Sequence, residues 1–402
     1  MSSPDTATRR VIGFLNWAHA IDHYVLLIFP TVVLSLEAIY GRSYAELIAL
    51  STPMFVAFGV FSLPAGWLAD RWSRRNMMVV FYAGCGLSLI AAALAPNLIM
   101  LGAALFMLGV CAAIYHPVGM AMLIEASQAR GRTLAFNGVC GNLGAALAAG
   151  ITALLAYWIG WRAAFLVPAA LCLATAPLFY WAVPDDRHHT AKRQSKPGVR
   201  LSPAMAATMF GLFIMIALTA GLIFNAITVA LPKIVEERLG QDVPLFAVGG
   251  LATAVFLCGA LAQLAVGRLV EKIAPHILLM AIVAIGLIGI LWATAASGLT
   301  LLVALSLVMV SIYGQVTVND MVIARYTADA WRGRVYAVRY FLLFLSAGAA
   351  VAMIARFHSQ GGFSLVLMVT AAVTVVFLFA AIGVAVIASL AANKQVAAQP
   401  AE

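Results

Sequence analysis

GWLADRWSRR, at residues 66–75, closes a long apolar run with a cluster of charged residues. A related stretch, GRLVEK at residues 267–272, closes another apolar run 201 positions later, which is half the length of the 402-residue chain. The basic triplet RGR keeps nearly the same spacing, because it occurs at residues 130–132 and again at residues 332–334. The sequence therefore predicts two halves of similar construction, each containing the same kind of apolar segments.

The composition assigns those segments to a membrane. Hydrophobic residues make up 64% of the chain and charged residues only 10%, whereas a soluble domain carries roughly 25% charged residues. Apolar runs long enough to cross a hydrocarbon core of ~30 Å as helices recur along the whole sequence. Lipid offers no hydrogen-bond partner to the backbone, so the spanning segments must be helices or a closed barrel. Since no alternation typical of barrel strands is visible, we predict an all-α membrane protein.

Twelve helices are predicted, six on each side of a polar, basic stretch. Their expected positions are 12–39, 45–67, 76–95, 98–124, 132–158, 162–183, 204–231, 244–266, 276–296, 298–323, 334–356 and 362–390. The division gives an N-terminal six-helix bundle at 1–184, a cytoplasmic linker at 185–203 and a C-terminal six-helix bundle at 204–402. Parallel halves of this kind are typical of secondary transporters, whose binding site lies between the halves.

The distribution of basic residues predicts the orientation. Of the 24 Lys and Arg residues, only Arg42, Arg162, Lys233, Arg238 and Arg356 fall in the loops on one side, and the other 19 lie on the opposite side. Short cytoplasmic loops carry the excess of Lys and Arg. We therefore expect both termini in the cytoplasm and the protein in a bacterial-type inner membrane, surrounded by lipid.

The 66–75 stretch resembles the loop 2–3 signature of the major facilitator superfamily, Gly-x-x-x-Asp-Arg-x-x-Arg-Arg/Lys, at the corresponding place in a twelve-helix chain. The resemblance implies the superfamily's transporter fold over the whole chain. It also implies that Asp70 and its basic neighbours Arg71, Arg74 and Arg75 latch the cytoplasmic ends of the halves. Glu271 is the acid of the second copy, which lacks the trailing arginine pair, so we expect a weaker latch there.

A narrower resemblance occurs in helices 1 and 4. NWAHAIDH at 16–23, with Pro30 downstream, is similar to the helix 1 pattern of fosmidomycin-resistance-type exporters, and YHP at 115–117 resembles the His-Pro of their helix 4. The resemblance implies proton-coupled efflux of a small molecule.

Asp22 is the residue that most directly indicates a transport mechanism. It lies about ten residues into helix 1, or roughly 15 Å deep at 1.5 Å per residue, where a carboxylate is costly unless it is paired or neutralised. His19 is three residues before it and His116 lies at a similar depth in helix 4. Imidazoles and a buried carboxyl are typical proton carriers, so we predict that Asp22, His19 and His116 couple transport to protons.

A transition-metal site is the alternative for the same cluster. Imidazole, carboxylate and thioether groups are suitable ligands, and softer ones favour copper. The alternative ligand set is His19, Asp22, His23, His116 and Met120.

Further polar residues inside the helices are expected to contact substrate or to join helices. The predicted substrate-binding residues are Asn16, His23, Tyr115, Asn142, Asn225, Gln315 and Asn319. Asp320 and Arg339 lie just inside the cytoplasmic ends of helices 10 and 11, and we expect them to pair at the gate.

Several functions are excluded or disfavoured. No Gly-x-x-x-x-Gly-Lys-Ser/Thr motif is present, so P-loop ATP hydrolysis is excluded. We predict no enzymatic activity, no cofactor and no nucleic-acid partner, since the charge of +9 belongs to the short loops. The prediction is a monomeric, proton-coupled exporter of a small organic compound that works by alternating access. Proton-coupled uptake of a metabolite, copper-like metal transport, and a receptor or scaffold that keeps the fold remain alternatives.

Overall fold

In a computed structural model, the chain is described at residues 6–127, 130–185, 202–239, 243–327 and 329–397. The described residues form helices and short connections. The helices are α1 Thr6–Tyr40, α2 Tyr44–Ala49, α3 Thr52–Arg71, α4 Arg74–Ala93, α5 Leu98–Ala112, α6 Met120–Ala126, α7 Arg130–Trp158, α8 Ala163–Ala182, α9 Pro203–Leu239, α10 Leu245–Leu269, α11 Pro275–Ala293, α12 Gly298–Tyr326 and α13 Asp329–Ala397. Most of the predicted linker, 186–201, lies outside the described residues.

Eleven helical segments in the described ranges are long and apolar enough to span a bilayer, so the chain is a multi-pass membrane protein. The last of them, Arg334–Ala391, has 58 residues and would measure about 87 Å if straight. It is not straight, because the backbone leaves the helical region at Gly361 and at Gly362, where φ is 60°. Glycine adopts this left-handed conformation without a steric penalty, so α13 consists of two helices joined at a sharp bend.

The second predicted helix is divided in two. Ser43 begins the six-residue α2 with a capping box, in which its hydroxyl accepts from the Glu46 N–H and the Glu46 carboxylate accepts from the Ser43 N–H at 2.9 Å. This pairing gives hydrogen-bond partners to backbone N–H groups at the start of the helix, which have no partner within the helix itself. α3 then begins at Thr52 with proline in its first turn, where the missing N–H has no consequence.

The fourth predicted helix is interrupted at Pro117. α5 ends at Ala112, a π-helical turn covers Tyr115–Gly119, and α6 follows directly. Proline has no N–H and its ring collides with the carbonyl four residues earlier, so the backbone widens by one residue at this point.

The predicted helix 7 was too short. α9 continues to Leu239 through Pro232, and Lys233 and Arg238 therefore lie in a helix and not in a loop.

Successive helices run in alternate directions, which gives the molecule two ends. We call them the Asp70 end, where α3 finishes, and the Lys233 end, near the finish of α9. On the Lys233 side of the molecule, α1–α8 pack against α9–α13. α7 lies along α10, where the Thr253 hydroxyl donates to the Ala146 carbonyl at 2.6 Å and accepts from the Gly150 N–H at 3.0 Å. α3 packs on α13, and the Phe58 and Phe344 ring centroids are 5.0 Å apart.

Candidate functional site

α1 carries a fully buried carboxylate in the interior of the molecule. The Asp22 side chain is 0% exposed. His116 of the π-helical turn is its nearest partner capable of carrying charge, with Nε2 3.3 Å from Asp22 Oδ2. Neither carboxylate oxygen has a well-formed hydrogen bond among the described residues. The pair therefore lacks a permanently charged cation, which would hold the carboxylate ionised.

The His116 imidazole forms a cluster with two further imidazoles of α1. The His19 ring centroid lies 4.8 Å from that of His23 and 5.4 Å from that of His116, and the His23–His116 separation is 5.8 Å. His19 and His23 are neighbours because residues four apart lie on one face of α1. The π-helical turn brings His116 to the same place from the fourth span. Three imidazoles are thus concentrated at one point in the interior of the molecule.

Asn137 of α7 fixes the orientation of one of these rings. Nδ1 of His19 lies 2.8 Å from the Asn137 carbonyl oxygen. A carbonyl can only accept, so Nδ1 carries the proton and Nε2 presents a lone pair. The Nε2 edge faces Gly141, where an added Cβ would lie only 2.6 Å from that nitrogen. Gly141 therefore provides the space that the imidazole occupies.

A buried polar network supports the imidazoles from behind. The Tyr115 hydroxyl donates to Asn137 Oδ1 at 3.0 Å, and Asn137 Nδ2 donates to Asn16 Oδ1 at 3.0 Å and to the Leu15 carbonyl at 3.3 Å. The Tyr115 ring also stacks on His19 at 4.9 Å. Such satisfied networks hold side chains in one arrangement. Asn16 and Tyr115 are thus occupied by contacts within the protein.

Asn137 was missed by the sequence analysis. It is 0% exposed and connects α1, the π-helical turn and α7. The available signal was an amide in the glycine-rich start of α7, four residues before Gly141, but nothing in the sequence indicates which groups it contacts.

Helix α13 contributes the wall opposite the network. The Phe344 ring centroid lies 4.7 Å from that of His116, and Phe58 of α3 lies 6.1 Å from the same imidazole. Aromatic rings thus pack against His116 on two sides, and Phe344 joins the cluster to the C-terminal helices.

Asn142 lies one turn from the cluster and connects three helices. Its amide donates to Gln263 of α10, whose own amide donates to Thr317 of α12 at 3.3 Å. Asn142 therefore faces the C-terminal helices, as a substrate-binding or helix-joining residue would.

The other predicted substrate-binding amides lie elsewhere. Asn225 donates to the Gly221 carbonyl of its own helix at 2.8 Å. Asn319 donates to the Gln315 side chain, and Gln315 donates to the Ile312 carbonyl at 3.2 Å. Gln315 also lines a void of about 10 Å³, which has room for a single water molecule.

The charged residues at the Asp70 end pair locally. Arg74 contacts Asp70 at 3.0 Å and Glu125 at 2.5 Å. Arg75 contacts Asp185 at 3.5 Å, and the Arg71 guanidinium lies 3.9 Å from the centre of the Trp67 ring. These contacts all join helices within α1–α8 or the residues just after them.

In the C-terminal helices, Asp320 of α12 contacts Arg339 of α13. Arg339 is only 4% exposed, whereas the Asp320 side chain is 37% exposed. Glu271 lies apart from this pair, in a cleft of about 480 Å³ beside Lys272 and Arg325.

The Lys233 end holds an ion cluster that the sequence analysis missed. Lys233 contacts Glu37 of α1, and it also contacts Glu236 of its own helix at 2.6 Å. Glu237 accepts from His358 Nε2 of α13 at 3.0 Å. Among ion pairs between described residues, Lys233–Glu37 is the one that joins α1–α8 to α9–α13. It escaped notice because the lysine was assigned to a loop.

The imidazole cluster also has the spacing of a metal site. The nearest ligand atoms of His19, His23 and His116 all lie within 4.8 Å of one another, so a single transition-metal ion could be reached by all three after small adjustments. Met120 is nearby, with its sulfur 3.9 Å from the Tyr115 hydroxyl.

The fold and the site together describe a polytopic helical protein with titratable groups between its helices. The sequence profile of the Major Facilitator Superfamily matches residues 12–352, and the chain belongs to this superfamily. Members of the superfamily are membrane transporters, so the chain is a transporter and not an enzyme.

The curated relatives are transport proteins. The chain is 27% identical to the gallate transporter of Pseudomonas putida over 214 residues, 50% of this chain and 47% of that one. It is 28% identical to the 3-(3-hydroxy-phenyl)propionate transporter of Escherichia coli over 53% of each chain. Identity to the multidrug resistance protein B homolog of Mycobacterium tuberculosis is 26%, over 52% of this chain and 39% of that one. The chain spans about half the length of the curated relatives it matches.

Among solved structures, an inward-facing, occupied bacterial homolog of the human lysosomal transporter Spinster superposes with a TM-score of 0.78 at 13% identity, over 97% of this chain and 98% of that one. At this identity the match shows a shared fold.

Proposed function

We propose that the protein is a proton-coupled secondary transporter that exports a small organic compound by alternating access. The observation that carries this proposal is the Asp22–His116 pair, a fully buried carboxylate whose one ion-pair partner among the described residues is an imidazole 3.3 Å away. An arginine or lysine partner would keep the carboxylate permanently ionised. A histidine, unlike arginine or lysine, can be neutral as well as charged, so the pair can take up a proton and release it.

The surrounding groups provide a route for that proton. The Nδ1–H of His19 is held by the Asn137 carbonyl, and the His19 ring lies 4.8 Å from that of His23 and 5.4 Å from that of His116. We assign proton transfer to Asp22, His116 and His19, and substrate contact to His23 and to Asn142, whose amide donates to Gln263 of the C-terminal helices.

The proposed topology has twelve crossings in two six-helix halves, at 1–184 and 204–402, joined by a cytoplasmic linker. Support comes from the bend at Gly362, which divides a segment too long for one crossing. We propose that the Asp70 end is cytoplasmic, with both termini, in a bacterial inner membrane, because 19 of the 24 basic residues fall on that side. The monomer would be the functional unit.

The two ends would act as alternate gates. At the Lys233 end, the Lys233–Glu37 pair closes the space between the halves. At the Asp70 end, each ion pair described above lies either within α1–α8 and the residues just after them or within α9–α13. This arrangement fits a state in which the Asp70 end is open to the cytoplasm. We propose that Asp70, Arg71, Arg74 and Arg75 form contacts between the halves when that end closes. Glu271, Asp320 and Arg339 would contribute from the C-terminal half.

Export is favoured by the similarity to a multidrug resistance homolog. Uptake by proton symport is the second candidate, because the similarity extends to transporters of gallate and of 3-(3-hydroxy-phenyl)propionate. Metal transport is the third, since three imidazoles lie within 4.8 Å of one another.

Proteoliposomes containing a pH dye distinguish these candidates. The probes are gallate, 3-(3-hydroxyphenyl)propionate, ethidium, Zn²⁺ and Cu²⁺, added to wild type, to Asp22→Asn and to Glu46→Gln as a surface carboxylate control. The proposal expects a proton flux with an organic probe that Asp22→Asn abolishes and Glu46→Gln retains. Its sign separates antiport from symport. A flux unchanged in Asp22→Asn, no organic probe eliciting flux, or movement of the metals alone would overturn the proposal.

A further inference from the structure

Three aromatic residues follow one another along a single face of α13. Tyr336, Tyr340 and Phe344 are spaced four residues apart, which places them side by side on a helix. The ring centroids of Tyr336 and Tyr340 are 6.3 Å apart with planes 22° apart, and those of Tyr340 and Phe344 are 6.0 Å apart with planes 27° apart. We call these three residues the aromatic ladder.

The ladder leads from the Asp70 end to the buried carboxylate. Its inner rung, Phe344, lies 4.7 Å from the His116 ring, which in turn contacts Asp22. Its outer rung, Tyr336, donates from its hydroxyl to the Asp320 carbonyl of α12 at 2.8 Å. Both ends of the ladder are therefore anchored to groups inside the protein.

The middle rung is exposed even though it lies on this inward face. Tyr340 is 36% exposed, whereas Phe344 is 7% exposed and Arg339 is 4% exposed. Since its neighbours on the ladder contact His116 and α12, Tyr340 lies on a face of α13 that is turned toward other helices rather than lipid. An aromatic ring that stays exposed on a face packed against other helices is unusual for a packing surface, because a core would cover it.

We propose that the ladder is the binding surface for a planar aromatic substrate, which stacks on Tyr340 and directs its polar substituent toward His116 and Asp22. This inference rests on the proposed transport function and names its substrate class. Aromatic rings favour offset stacking with ring centroids 4.5–7 Å apart, and the nearly parallel ladder presents one flat surface for this geometry. The imidazoles can donate to the substituent or accept from it.

The test compares aromatic compounds with saturated analogues that carry the same substituents. The probe pairs are 4-hydroxybenzoate and trans-4-hydroxycyclohexanecarboxylate, phenol and cyclohexanol, and benzylamine and cyclohexylmethylamine. Binding to the purified full-length protein is measured by titration calorimetry. In at least one pair, the aromatic member should bind about tenfold tighter, as expected for one to two stacking contacts. The pair that shows the preference identifies the charge of the substituent.

Variants of Tyr340 test whether this residue is responsible for the preference for aromatic compounds. Tyr340→Leu should abolish the aromatic preference, and Tyr340→Phe, which keeps the ring, should retain it. Phe379→Leu is the matched control, since Phe379 also lies on α13 but is 68% exposed and away from the ladder. It should bind like wild type. Size-exclusion profiles of all three variants check that they are folded.

Two results would overturn the inference: no aromatic probe binds better than its saturated analogue, or the preference survives in Tyr340→Leu. These failures are separable from failure of the proposed function. An Asp22-dependent proton flux driven by a saturated compound would leave proton coupling intact and remove the ladder as the substrate surface. An aromatic preference without Asp22-dependent flux would do the reverse.

Discussion

Burial of the Asp22 carboxylate costs free energy, and the groups around it do not fully offset that cost. A charged group enclosed by membrane helices costs several kcal/mol unless a partner compensates it, and the imidazole at 3.3 Å does so only when it is protonated. We therefore attribute the carboxylate to the proposed transport function rather than to stability. Asp320 presents the opposite case, because its contact with Arg339 supports a guanidinium that is only 4% exposed.

These two carboxylates should respond differently to the same substitution. Asp22→Asn removes a buried charge and should leave the thermal unfolding midpoint equal to or above that of wild type. Asp320→Asn leaves a buried guanidinium without its counter-ion and should destabilise by about 2 kcal/mol, less than for a fully buried pair because Asp320 is 37% exposed. Thermal melts of both variants in one detergent check the order, and the account is contradicted if Asp22→Asn is the less stable.

The space for His19 gives a second test at this scale. Gly141→Ala would put a methyl group 2.6 Å from His19 Nε2, so the ring must move and lose its bond to the Asn137 carbonyl. Substrate-driven proton flux should fall about tenfold, consistent with the loss of one well-placed proton-transfer group. Gly138→Ala on the same helix, where nothing lies within 4 Å of an added Cβ, should keep wild-type flux. Equal flux in both variants would remove His19 from the route.

The sequence identified the titratable residues of the site but not what holds them. Asp22 and the histidines could be predicted, because such groups are rare in membrane spans and therefore conspicuous. Asn137 and Phe344 could not, since an amide or a phenylalanine in a helix is ordinary until tertiary packing puts it beside an imidazole. A contact between residues far apart in the chain leaves no recognisable pattern in the sequence around either residue.

Among the elements, the π-helical turn at Tyr115–Gly119 does most to position the site. The extra residue in the turn changes the direction in which His116 points relative to a regular helix. Its cause is Pro117, which cannot donate to the backbone and cannot fit in an undisturbed turn.

Removing the proline should therefore affect coupling more than folding. Pro117→Ala restores an N–H and permits a regular α-helix, which would rotate His116 away from Asp22. We expect normal helical content by circular dichroism and at least a tenfold loss of proton flux, in line with the contribution of general acid–base groups. Pro177→Ala, at an exposed proline within α8, is the control and should keep its flux. Wild-type flux in Pro117→Ala would show that the turn does not position the histidine.

Element positions were predictable to the extent that apolar periodicity determines them. The apolar runs predicted where the spans lie. They did not predict that α9 continues to Leu239, because Pro232 and the following charged residues are typical of a helix end. Pairing of Lys233 with Glu37 and Glu236 compensates those charges within the helix.

At the scale of the whole molecule, the Lys233–Glu37 pair is expected to hold one end closed. Glu37→Gln weakens the link between α1 and α9, so the population with the Lys233 end open should grow. Spin labels at positions 162 and 356 in a cysteine-free background report the width of that end by pulsed electron resonance. Glu46→Gln breaks the exposed ion pair of α2 with Arg42, just before that helix, and should leave the distance distribution unchanged. A distribution in Glu37→Gln identical to wild type would show that the pair is not a gate.

The central claim is that Asp22 couples transport to protons without being needed to move the substrate. The most direct measurement compares two assays in the same proteoliposomes for wild type and Asp22→Asn, using the probe that elicits proton flux. One is accumulation driven by an imposed pH gradient, and the other is exchange of labelled for unlabelled probe with no gradient. The account predicts that Asp22→Asn retains exchange and loses gradient-driven accumulation. Accumulation at the wild-type level in the variant would contradict it.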